Sequence, residues 1–116
     1  MLESLQQEVT AWCDENIPPQ TADQLDRGDS PLAIYQAMAA NGWLGYADLS
    51  REPDNLYRLA EVCKIVNSYS GVLGNMMSVN TACAMMLGRF GGQRQQKLAG
   101  EVLAGKKLAA FALTEP

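Results

Sequence analysis

The chain has 116 residues, 47% apolar and 19% charged, with a net charge of −4. Length and composition describe one globular domain and exclude disordered and collagen-like classes. Histidine is absent, which removes imidazole metal ligands and Ser–His or Cys–His catalysis. The acidic balance argues against nucleic acid, whose phosphates need a basic face.

Helical patterns then dominate in chain order. Residues 2–16 place Leu2, Leu5, Val9 and Trp12 on one apolar stripe. Pro18 and Pro19 end that helix, and the polar residues 20–29 read as a loop. Ser30-Pro31 is a helix start, a capping hydroxyl followed by Pro at the first position. The second helix runs through Ile34, Tyr35 and Met38 and stops at Asn41-Gly42, a left-handed C-terminal pair. Residues 43–53 form a connector. Asp54 is placed to cap a third helix reaching about Asn67, with Leu56, Leu59, Ala60, Cys63 and Val66 at helical spacing.

Ser68 to Gly71 breaks the pattern, and Ser70 is placed to cap a fourth helix. That helix is apolar on nearly every side over residues 72–87, which predicts the middle of a core. Met76, Val79, Cys83 and Met86 are expected to be buried there, with Leu73 or Met77 on a different neighbour. Ser78 and Asn80 need a partner or a ligand if buried, and otherwise face a groove or solvent. Gly91-Gly92 ends the helix, residues 93–103 form an amphipathic fifth one, and Gly105 stops it. The apolar run 108–113 reads as a strand or a buried extended segment. The expected fold is therefore all-α, an up-and-down bundle of about five helices with a short extended C-terminal segment.

Few constellations carry chemistry. Glu61 and Lys64 at i, i+3 form a surface pair. The methionines of residues 76–86 either fill a core or line an adaptable acyl pocket. Cys13, Cys63 and Cys83 are an odd count with no CxxC, so they read as free thiols in a reducing, cytoplasmic location. The N-terminus has no signal-peptide pattern, and no apolar run approaches membrane-spanning length. Charge is split: residues 1–58 carry ten acidic and three basic side chains, and residues 59–116 carry three acidic and six basic. Solvation, attraction between the halves and an anionic ligand all accommodate that split. The chain finishes on an apolar run and Thr114-Glu115-Pro116, which resembles a cut inside a longer protein. Six consecutive apolar residues, 108–113, either fold back on the bundle or meet their copy in a second chain, and self-association is the favoured outcome.

Several segments together carry a family resemblance. They are Asn16-Ile-Pro-Pro19; Ser30-Pro-Leu-Ala-Ile-Tyr-Gln-Ala-Met-Ala-Ala-Asn-Gly-Trp-Leu-Gly45; Leu59-Ala-Glu-Val-Cys63; Ser78-Val-Asn-Thr-Ala-Cys-Ala-Met-Met-Leu87; and Phe111-Ala-Leu-Thr-Glu-Pro116. From end to end the chain resembles the N-terminal helical domain of the flavin-dependent acyl-CoA dehydrogenases. That resemblance implies a subunit with a middle β-domain and a C-terminal helical domain, FAD held partly across subunits of a homo-oligomer, and oxidation of an acyl thioester. A carboxylate base takes the α-proton and the flavin takes the β-hydride. The usual base lies in the C-terminal domain, so Glu115 does not inherit the role. No catalytic residue and no metal ligand is expected in this chain.

Carried over by position, Phe111, Leu113 and Thr114 match the flavin-contacting segment. Asn75, Ser78, Val79 and Ala82 match the helix face that lines the acyl cavity. After Gly45 the chain reads Tyr46-Ala-Asp-Leu-Ser-Arg-Glu-Pro-Asp54, where the family usually has Pro-Glu-Glu-Tyr-Gly-Gly. This shorter connector leaves both CoA and a carrier protein open as the bearer of the thioester. The implied function is one wall of the acyl pocket and one edge of the flavin site, with no FAD bound and no activity in isolation. The alternative is a standalone helical module that docks a partner protein.

Overall fold

A computed structural model describes residues 2–48, 50, 52 and 54–112. It is an all-α helical bundle with no strand among these residues. The helices are α1 (Leu2–Asn16), α2 (Pro19–Asp26), α3 (Leu32–Ala39), α4 (Asn55–Tyr69), α5 (Gly71–Phe90) and α6 (Gln93–Leu103), with a 3-10 turn at Trp43–Ala47. The molecule measures 42 × 41 × 23 Å. A helix with its side chains is about 10–12 Å across, so the bundle is two layers thick.

The core is built from Val9, Cys13 and Ile17, then Tyr35 and Met38, then Leu44, Val62, Val66, Leu73 and Met77. Of the first stripe, Leu5 and Val9 are buried, Trp12 is half-buried and Leu2 is exposed. Trp12 meets Trp43 edge to face, with ring centroids 5.7 Å apart. The α4–α5 junction is one residue long. The Ser70 N–H donates to the Val66 carbonyl at 2.9 Å, closing α4, and its Oγ accepts the Leu73 N–H at 3.2 Å, opening α5. At the α4–α5 crossing, a Cβ on Gly74 would run into the Asn67 carboxamide. α5 also packs on α6.

Several expectations change. Residues 19–26 are a helix, not a loop: Pro19 occupies a first-turn position, where a missing N–H costs nothing. Only Leu25 of that helix is buried, so its stripe is too sparse to read as periodic. Trp43, Leu44 and Ala47 of the connector are core residues. Asp54 sits at the α4 N-cap, but its carboxylate makes no capping bond. On α5, Cys83 is buried as expected; Met76 and Val79 are half-buried and Met86 is 50% exposed. Leu73 and Met77 are deeply buried because α4 and the 3-10 turn pack against α5, whereas Met86 is on its exposed side.

Two methionines nine positions apart should therefore respond differently. Met77→Ala leaves a cavity and should cost about 3 kcal/mol, lowering the thermal midpoint by on the order of 10 °C. Met86→Ala should stay within about 0.5 kcal/mol. Calorimetry of the two variants checks both.

Candidate functional site

α5 lacks Asp and Glu along its whole length. Asn75, Ser78, Val79 and Ala82 advance by 3, 1 and 3 residues, which keeps them on one helical face. Asn75 and Ser78 are exposed, and Val79 and Ala82 are half-buried. The Ser78 hydroxyl donates to the Gly74 carbonyl at 2.9 Å. The face continues through Met86, Arg89 and Phe90, the last of these 77% exposed. Steps of 4, 3 and 1 after Ala82 already hold that continuation in the sequence; the expectation of an all-buried helix hid it.

A concavity lies beside this face. A groove of about 570 Å³ runs between the 3-10 turn, α5 and α6, and Ala84, Gly88, Ala99 and Gly100 are among its lining residues. Ala84 and Gly88 sit on the side of α5 away from Ser78 and Ala82, while Arg89, on the continuation of that face, also lines the groove. None of the sequence-predicted site residues lines it. The predicted acyl-facing residues form an open wall.

The second predicted set lies on the outgoing chain. Gly105, at φ +78°, ends α6 in a Schellman turn: the Gly105 N–H donates to Val102 and the Lys106 N–H to Glu101, each at 3.0 Å. A Cβ at residue 105 would come within 2.6 Å of the Ala39 Cβ, a second reason for glycine. Beyond the turn the chain is non-helical. The Ala109 N–H donates to the Asn80 Oδ1 at 2.7 Å. The N–H groups of Leu108, Ala110, Phe111 and Ala112 have no partner among the described residues. Phe111 is 41% exposed and Leu108 54%.

The segment is thus neither a strand nor buried through residue 112; it folds back on the bundle at the half-buried Ala109 alone. Leu113, Thr114 and Glu115 lie outside the described residues. Exposed backbone donors beside an aromatic ring fit one edge of a flat heteroaromatic such as a flavin.

Titratable groups add no catalytic pair. Burial pushes the Cys13 thiol from 9.0 up to about 11, with Asp14 adding to the effect. Burial likewise raises the Cys63 thiol, opposed by the Ser78 hydroxyl, and the Cys83 thiol. Burial moves the Tyr35 phenol from 10.0 to about 12, and its hydroxyl is buried without a hydrogen-bond partner. The Glu61 carboxyl is held low by Lys64, 2.8 Å away, and by Gln6. Among the described residues no metal-binding group of three or more His, Cys, Asp or Glu assembles. No helix among them is long and apolar enough to cross a membrane.

With this geometry in hand, residues 2–105 match the family model of the acyl-CoA dehydrogenase N-terminal domain. The chain belongs to the acyl-CoA dehydrogenase family. No curated protein and no solved structure gives a significant match. The residues predicted to face the acyl chain on α5 lie inside the matched range. Phe111, Leu113 and Thr114 lie beyond it and rest on the sequence resemblance alone.

The raised pKa values set an alkaline limit on stability. The folded state favours neutral Cys13 and Tyr35, so the unfolded chain loses these protons first. The resulting stability is complete below the unfolded values and is lost as pH rises through about 11 and about 12. Urea midpoints should hold from neutrality to about pH 9 and fall above it. The fall should be smaller in Tyr35→Phe, which also removes an unsatisfied hydroxyl at little or no cost near neutrality.

Proposed function

We propose that this chain forms the N-terminal part of an FAD-dependent acyl-thioester dehydrogenase, making one wall of the acyl pocket and one edge of the flavin site. The observation that carries the reading is the uncovered face of α5. Within an acyl-CoA dehydrogenase N-terminal domain, Asn75 and Ser78 are exposed and Val79 and Ala82 half-buried on one face. Short side chains leave room beside them for an alkyl chain, and Met86 extends the wall with a pliable apolar group.

On the outgoing chain, the Phe111 and Ala112 N–H groups can meet flavin heteroatoms, and the family resemblance adds Leu113 and Thr114, which lie outside the described residues. When bound, FAD supplies the hydride acceptor. Nothing on α5 or in residues 106–112 can remove a proton from the acyl α-carbon, since neither stretch contains a carboxylate. The family resemblance puts the base in the C-terminal domain, and the isolated chain is inert: one edge of a cofactor site loses most contacts while the ordering cost remains. The β-domain and C-terminal helical domain are the expected partners, within a cytoplasmic homo-oligomer. CoA or a carrier protein bears the thioester.

Joining the chain to the β-domain and C-terminal helical domain of a family member that supplies the carboxylate tests this. The product should be yellow and should bleach when an acyl thioester is added without an electron acceptor. Ala82→Phe should raise KM for the acyl thioester by about tenfold or more while the flavin stays bound. The 116-residue chain alone should retain no stoichiometric flavin. Indifference of KM to Ala82→Phe at every acyl length would refute the pocket wall, and stoichiometric flavin on the isolated chain would refute the single edge.

A further inference from the structure

Asn80 is a buried polar side chain on α5, 4% exposed. Both ends of its carboxamide are used. Nδ2 donates to the Met76 carbonyl at 2.8 Å, which anchors the side chain to its own helix. Oδ1 accepts the Ala109 N–H at 2.7 Å, across 29 residues of sequence. The Ala109 side chain packs on Ala84, Ala99 and Val102, the small cluster between α5 and α6. The Schellman turn at Gly105 and the Asn80 bond are therefore two fixed points on the outgoing chain, four residues apart. Phe111 follows the second by two residues, on the order of 7 Å in an extended chain.

We infer that Asn80 is a positioning residue that sets the register of the outgoing chain against α5, so that the face carrying Ser78 and Ala82 and the segment carrying Phe111 move as one piece. The inference rests on the reading of that face and that segment as acyl wall and flavin edge. Asn80 touches neither ligand surface itself: it points inward from α5, next to Val79 in sequence. The choice of Asn follows from its chemistry. The site needs a donor toward Met76 and an acceptor toward Ala109 on one short side chain, and a carboxamide supplies both without burying a charge. Leu of similar volume would leave the Ala109 N–H without its acceptor.

Site-resolved amide exchange in the 116-residue chain tests the clamp without any flavin. After correction for intrinsic rates, the Ala109 N–H should exchange about tenfold or more slowly than those of Leu108 and Ala110. Asn80→Leu should bring Ala109 to its neighbours' rate while α5 and α6 amides keep theirs. Asn80→Asp keeps the acceptor and should retain the protection at Ala109. Ala109 exchanging as fast as its neighbours in the unsubstituted chain overturns the inference, as does slow exchange surviving in Asn80→Leu. If either variant fails to fold, the unsubstituted chain decides alone. Since no cofactor is present, the clamp can fail while the flavin reading stands, and the reverse.

Discussion

Ser70 is where the architecture is decided. One residue terminates α4 and starts α5, accepting and donating with its own backbone and capping with its hydroxyl. A link that short allows no slack, so α5 must cross α4 immediately, at the close approach of Gly74 and Asn67. α4 is in turn held by α1 and the 3-10 turn, and α5 carries α6. Each later element inherits its place from that junction, including the α6 end from which the outgoing chain starts back toward Asn80.

The same constraint explains how an apolar helix serves two purposes. α5 is pinned along one side by α4, α6 and the 3-10 turn, and there Leu73, Met77, Cys83 and Ala84 fill the interior. Its other side carries Asn75, Ser78, Ala82 and Met86, of which Asn75, Ser78 and Met86 are exposed, although the Ser78 hydroxyl still reaches Cys63 of α4. In a bundle two layers thick, a helix cannot be surrounded. Apolar character all round then describes two different neighbours, protein on one side and a surface completed by something else on the other.

Local signals were legible in the sequence where they act locally. The Asn41-Gly42 stop, the Ser70 cap, the Gly91-Gly92 break and the Gly105 turn all depend on neighbouring backbone, and each falls where the residues place it. α2 escaped because Pro18-Pro19 terminates one helix and starts the next, and only Leu25 shows an apolar face. Met86 was misread because periodicity reports apolarity and not what covers it. The face of Asn75, Ser78, Val79 and Ala82 was readable from spacing once the family resemblance had picked out the positions. The partner of Asn80 was not, since a hydrogen bond across 29 residues leaves no trace in local pattern.

The burial of the thiols has an electrostatic consequence for any assembly that contains this domain. Histidine is missing, and Cys13, Cys63, Cys83 and Tyr35 are all displaced to the alkaline side. The other side-chain types present ionise in acid or well into alkali. None of these four groups therefore changes its charge near neutrality. A rate profile that bends near neutrality in such an assembly would not be assigned to these three thiols or this phenol, which stay neutral there and act as packing groups.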